Sequence, residues 1–261
     1  MQAIQPGKHH LQPQPKHLLL VGAIANLAIF SLPLVRYMFG YYSVFVHELG
    51  HAGAAWAFGY PAIPVFNFVH GGGYTMYFGP FWLLRLALLG LLGVYCRRWV
   101  KAHQGRLPLI MVLFWMAYLP PLLNGAWFRS IFDIMGHAGE LMGAMLFCYC
   151  ALSPHVKRPI FEKYLMIVLG IFMYMHSLHF CYQLCFDAEF IGNYLDPDSG
   201  IINDLVKLRD NNGWPFGFSV LLLLAINSLT LYWLVKLLRD YPYNVFGKAF
   251  RDFKKTLLAR N

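Results

Sequence analysis

Charge is scarce in this chain. Only 13% of the 261 residues are Asp, Glu, Lys or Arg, about half the share of an ordinary soluble domain, so neither an extended disordered chain nor a solvated coiled coil can be built from them. Acidic residues are the scarcer sign, 12 against 21 basic. The basic excess lies in short segments beside apolar runs, which is the pattern of membrane topology and not of a nucleic-acid-binding surface. Cysteine is sparse as well: Cys96, Cys148, Cys150, Cys181 and Cys185 sit in or at the ends of apolar runs, make no disulfide framework, and read as small packing residues. There is no internal repeat and no low-complexity tract. No small-residue cleavage pattern follows the first apolar run, which therefore reads as an uncleaved anchor.

What is abundant is apolar surface. Hydrophobic residues make up 58%, with 22 Phe, 16 Tyr and 7 Trp, more than a soluble monomer of this length can hide, and the expected solvent is a lipid bilayer. Seven runs are long enough to cross as helices: residues 17–36, 41–60, 81–96, 107–123, 131–152, 164–185 and 216–238. The expected fold is an all-α polytopic membrane protein of about six or seven transmembrane helices. One membrane domain (17–238) follows a polar tail (1–16) broken by Pro6, Pro13 and Pro15, and a basic tail (239–261) closes the chain. Arg97, Arg98, Lys101 and Arg106, then Lys157, Arg158 and Lys163, then Lys248, Arg251, Lys254, Lys255 and Arg260 mark the cytoplasmic side. Residues 186–212 carry Asp187, Glu189, Asp196, Asp198, Asp204 and Asp210 against Lys207 and Arg209, so this loop is expected on the opposite face, as a solvated segment or a substrate gate.

The chemistry is concentrated in His47-Glu48-Leu49-Gly50-His51, an H-E-x-x-H motif inside the second apolar run. A spacing of four puts both imidazoles on one helical face, where they can bind one zinc ion with Glu48 beside them. Ionisable groups inside a membrane helix are expensive and mark function. Catalytic zinc needs a third protein ligand and an open position. The fifth run supplies Asp133, His137 and Glu140 at spacings of four and three, on one face of a helix, with small residues Gly136, Gly139, Gly143 and Ala144 alongside that allow close approach to the helix of His47 and His51. Three weaker candidates are read structurally or peripherally. His176 and His179 are packing or interfacial histidines, Arg85 snorkels to the surface, and His70, ahead of Gly71, Gly72 and Gly73, can approach the site from a loop.

His47 to His51, followed by Ala52, Ala55, Gly59, then Gly71-Gly72-Gly73-Tyr74-Thr75 and Gly79-Pro80, resembles the site-2-protease family of intramembrane zinc metallopeptidases, in its short bacterial-type form. The resemblance covers about residues 41–152. It implies a zinc peptidase site within the membrane, with His47 and His51 as ligands and Glu48 as base. The family's third ligand is an aspartate in a Leu-Asp-Gly setting after an Asn- and Pro-containing stretch. Here Pro120-Pro121-Leu122-Leu123-Asn124-Gly125 has the frame with Asn in that place, and Phe132-Asp133 has the Asp without the Gly. Asp133 is favoured, His137 comes next, and Glu140 serves as an acceptor orienting His137.

Depth matching adds one expectation. For His47 and His51 to lie level with Asp133 and His137, residues 61–79 must fold back into the membrane as a re-entrant or β-like segment, both termini being cytoplasmic; their strand formers and glycine turn permit it. The reaction expected is hydrolysis of peptide bonds in membrane-associated or transmembrane substrates, with residues 65–78 holding the unwound stretch by strand addition. A non-catalytic membrane protein that binds partners, and a membrane di-iron oxygenase, are the alternatives. Oligomeric state is left open.

Overall fold

A computed structural model describes residues 14–67, 72–102, 118–153, 156–196 and 203–239. The elements run α1 (Pro15–Ser31), α2 (Pro33–Ala57), β1 (Ala62–Asn67), β2 (Gly72–Tyr77), α3 (Trp82–Ala102), α4 (Gly125–Leu152), α5 (Ile160–Phe186), α6 (Ala188–Leu195), α7 (Asp204–Asn212) and α8 (Phe216–Arg239). By length and composition α4, α5 and α8 are apolar enough to cross a membrane, and the bent pair α1–α2 passes the same test taken as one span. Of the other expected runs, 81–96 extends into α3 as far as Ala102, carrying Arg97, Arg98 and Lys101 within the helix. Most of the run 107–123 lies outside the described residues, as do the tail beyond 239, Arg106, Asp198 and His70.

The first two apolar runs divide at a different place from the one hydropathy indicates. Pro33 lacks an N–H and disfavours the helical region for Leu32, whose φ of −111° and ψ of 101° are extended. α1 therefore stops at Ser31, α2 starts with Pro33 in its first turn, and the axes turn by 113°. α2 then runs through the whole H-E-x-x-H motif.

α4 packs against α2 on one side and α5 on the other. Its start is set by Asn124, whose side chain accepts from Ala126 N–H at 2.9 Å. The residue standing where the family frame has its aspartate is thus a helix cap. At the α2–α4 crossing Gly50 faces Gly139, and a Cβ on either would strike the backbone of the other helix. This is the small-residue approach expected from the sequence, and here it is a requirement.

The segment after α2 forms an antiparallel hairpin, paired from Ala62↔Tyr77 to Asn67↔Gly72, and it packs on α2. Trp56 Nε1 donates to the Ala62 carbonyl at 2.9 Å, and Phe58, Ala62, Phe128 and Phe132 close an apolar cluster beneath the strands. Gly59, at φ 75°, makes the left-handed turn out of α2. Arg85 does not snorkel. It is buried, donates to the Phe58 carbonyl at 3.2 Å, and lies over the Tyr60 and Trp82 rings at 4.7 and 5.1 Å. Rings on both sides hold the guanidinium where it can cap the end of α2.

The described residues of the acidic segment are folded. α6 starts at an Asp187 cap that accepts from Phe190 N–H, and Asn203 Nδ2 ties α7 back to the Tyr194 carbonyl at 3.1 Å. Leu205 and Leu208 of α7 are buried with Cys181 and Leu184 of α5 and with Val220 and Leu223 of α8. Gly213, left-handed at φ 70°, ends α7. The apolar side of α7 thus fixes its first residue, Asp204, over the end of the bundle.

Candidate metal centre

Helical spacing sets the first pair. His47 and His51 lie one turn apart on α2, and their Nε2 atoms are 3.1 Å apart. A third atom meets them from outside the spanning helices: Asp204 Oδ2 is 2.8 Å from His47 Nε2 and 2.9 Å from His51 Nε2. The other Asp204 oxygen accepts from Lys207 Nζ at 2.9 Å, which turns Oδ2 toward the imidazoles. Burial opposes charge on Asp204, but attraction from His51 and the hydrogen bonds of both imidazoles hold its carboxyl well below the usual carboxylate range.

The donor chemistry of this trio is decisive. His51 Nδ1 lies 2.6 Å from the Phe132 carbonyl, which can only accept, so Nδ1 carries the proton. A neutral His51 then presents a bare Nε2 to an acceptor oxygen and to a second imidazole nitrogen. The bare His51 Nε2 and Asp204 Oδ2 lie 2.9 Å apart with His47 Nε2 within 3.1 Å of both, an arrangement that calls for a proton on an imidazole or a metal ion among them. Zinc bonds of roughly 2.0–2.2 Å space tetrahedral ligand atoms about 3.3–3.6 Å apart, so a small outward movement accommodates the ion, and the fit is good.

Glu48 is buried, and its Oε2 accepts from Thr75 Oγ1 of β2 at 2.7 Å. A side chain on Gly73 would run into Glu48, so the strand lies against the carboxylate only because that residue is glycine. His47, Glu48 and His51 form a group able to hold a metal ion. A cavity of about 270 Å³ opens beside them, lined also by Thr75 of β2, His137 and Glu140 of α4, His176 of α5 and Lys207 of α7.

The expected residues of α4 divide. His137 reaches the cavity, its ring edge-on to His47 with centroids 4.7 Å apart. Asp133 does not line the cavity, and it is the Asp204 carboxylate that meets the imidazole pair. Its Oδ2 accepts from Asn212 Nδ2, at the far end of α7, at 3.3 Å, while its neighbour Phe132 presents a carbonyl to His51. Glu140 also differs from expectation, accepting from Ser43 Oγ and from His176 Nδ1, the latter at 3.1 Å, with no hydrogen bond to His137 among the described residues. His176 is accordingly part of the cavity wall as well as packed on Phe172, whereas His179 makes an edge contact with Phe30. Asp204 is the residue that sequence reasoning passed over. The one signal was charge bias, which marks residues 186–212 as an acidic segment without singling out Asp204.

No protein-family model matches the chain, and neither any curated protein nor any solved structure matches it.

Proposed function

We propose that the chain is an intramembrane zinc metalloendopeptidase of the site-2-protease kind, hydrolysing peptide bonds of membrane-associated or transmembrane substrates. One observation carries the reading: His47 Nε2, His51 Nε2 and Asp204 Oδ2 converge beside Glu48 in a cavity walled by a strand. These three atoms would hold the ion. When bound, zinc supplies Lewis acidity toward a carbonyl oxygen and toward water. Glu48 accepts the proton of the attacking water and delivers it to the leaving amine, with Thr75 Oγ1 orienting its carboxylate. Lys207 and the Phe132 carbonyl orient Asp204 and His51 from behind. The chain is read as a multi-pass protein of the bacterial inner membrane with six or seven crossings and a cytoplasmic C-terminus, working on membrane protein or peptide substrates without nucleic acid.

Metal analysis of the detergent-purified protein, after dialysis against a weak chelator, tests the centre. One zinc per chain is expected in the wild type and in Asp133→Asn, and none in His47→Ala or Asp204→Asn. Zinc lost from Asp133→Asn and kept in Asp204→Asn would overturn the ligand assignment. Iron would favour an oxygenase, and well-folded wild type without metal would favour a protein that only binds partners.

The hairpin supports a way of presenting the substrate. A transmembrane helix has its carbonyls hydrogen-bonded and must unwind before attack. β2 pairs with β1 on one side, has no partner strand on its other edge among the described residues, and lines the cavity from Gly72 to Thr75. An unwound stretch can add to that edge, its backbone bonds replaced by those of the strand. Proline at Tyr74 or Met76 removes an N–H that pairs with Val65 or Ile63 of β1 and so breaks the strand that offers the free edge. It is expected to lower cleavage of a single-span substrate at least about tenfold, equivalent to roughly one lost hydrogen bond, while zinc content stays at the wild-type level. Undiminished cleavage would count against the strand as the clamp.

A further inference from the structure

The cavity continues past His47 into a second group that the proposed hydrolysis does not use. His47, His137 and Glu140 offer one ligand atom each, all within 4.8 Å of one another. The chemistry of the set is that of a divalent-cation site, two imidazoles and one buried carboxylate. His137 is clamped flat against Phe180, with ring centroids 5.0 Å apart and an 18° interplanar angle. Neither of its ring nitrogens has a hydrogen-bond partner among the described residues, and the half-buried ring lines the cavity. An imidazole facing a cavity without a partner is an open ligand. Glu140, the carboxylate of the set, has its lone pairs only partly used by Ser43 Oγ and His176 Nδ1.

Contacts give the arrangement a direction. The side chain of His176 is 35% exposed and that of His47 17%, against 5% for Glu140 and 4% for His51. A cation entering beside His176, the most exposed of these groups, meets its hydrogen-bond partner Glu140 next, and then His137 and His47, which lie within reach of Glu140. His47 belongs to both groups and links them, because Ser43, His47 and His51 follow one another at four-residue spacing along α2.

We propose that His137 and Glu140, together with His47, form a second divalent-cation position that loads the His47–His51–Asp204 centre. The inference rests on the metal centre described above. Because His47 is common to both positions, they are filled in turn: the ion arrives at His137 and Glu140, and His47 hands it across to His51 and Asp204. No bond other than the coordination bonds is made or broken in the transfer.

Cobalt(II) binding to the full chain in detergent, after removal of metal, tests this. Asp204→Asn is expected to bind one cobalt per chain with affinity at least about 100-fold below wild type, at or beyond the upper end of the loss seen for outer-shell partners. Adding Glu140→Gln or His137→Ala to it is expected to lower affinity at least a further tenfold. In an otherwise wild-type chain, Glu140→Gln is expected to slow cobalt uptake about tenfold while still reaching one ion per chain. Each variant is compared only where its elution and helical circular dichroism match the wild type, and His137→Ala serves where Glu140→Gln disturbs folding. Residual binding in Asp204→Asn that is indifferent to both second changes, or no binding at all in Asp204→Asn, would overturn the second position. Uptake at the wild-type rate in Glu140→Gln would overturn its loading role. An Asp204→Asn chain that binds cobalt as tightly as wild type would instead overturn the centre itself, which separates the two failures.

Discussion

Glu48→Gln is expected to abolish cleavage while leaving the metal in place. Glutamine keeps the shape of the side chain and an acceptor oxygen for Thr75 Oγ1, now 2.7 Å from Glu48 Oε2, and neither imidazole depends on Glu48 for a hydrogen bond. What glutamine cannot do is take a proton. Loss of a positioned general base costs about 10²–10⁴ in rate, so cleavage of a single-span substrate in vesicles is expected to fall into that range at constant zinc content. Activity within about tenfold of wild type would remove Glu48 from the role of base, the smallest loss expected from general-base catalysis being larger than that. Zinc lost along with activity would make it a ligand instead.

The parts of the fold that are legible in the sequence are those set by one helix at a time. α4, α5 and α8 lie where unbroken apolar runs put them, because a helix that meets lipid on one side and protein on the other is hydrophobic all round. The motif on α2 is legible for the same local reason, a fixed turn of about 100° per residue. The break at Pro33 was legible in principle, since the residue before a proline avoids helix, but mean hydropathy runs straight across it. The strand character of residues 62–77 showed in composition, while their place against Glu48 depends on Gly73, whose role appears only once the partner is known.

The site divides along the same line. Periodicity puts Asp133, His137 and Glu140 on one side of α4, but four residues overshoot one turn by about 40°, and the local register decides which group faces the partner. The Gly50–Gly139 crossing presses the middle of α4 against the motif. It thereby turns His137 and Glu140 into the cavity and leaves Asp133, a turn nearer the helix start, to the end of α7. Asp204 was out of reach of this reasoning because α7 is a nine-residue helix of polar composition outside the spanning segments. Its position is decided by the burial of Leu205 and Leu208 against α5 and α8, a tertiary fact that no local pattern encodes. Charge bias marked residues 186–212 as one acidic segment, and only packing picks one acidic residue from it.

Gly136→Ala is expected to empty the metal centre with the fold intact. A Cβ at this position would fall well inside van der Waals distance of the Nε2 atoms of both His47 and His51. α4 cannot retreat from α2 to make room, because its other side is packed on α5, where Gly170 leaves no room even for a Cβ against Ala144 and Cys148, and a packed interior transmits such strain instead of absorbing it. The imidazoles must therefore swing away. His51 is held by the Phe132 carbonyl, so its swing breaks a hydrogen bond as well as the convergence with Asp204. Geometric misplacement of about 1 Å at a reacting centre can lower rate on the order of 100-fold, and here the ligand atoms themselves are displaced. Zinc is expected to be lost on dialysis and cleavage with it. Gly53→Ala is the matched control: it lies on α2 two residues beyond His51, a Cβ there meets nothing within 4 Å, and alanine favours the helix by about 1 kcal/mol over glycine. It should keep both zinc and activity. Full zinc in Gly136→Ala, beside an unchanged Gly53→Ala, would mean that the imidazole pair does not sit against α4 as drawn, and the centre would have to be rebuilt without that contact.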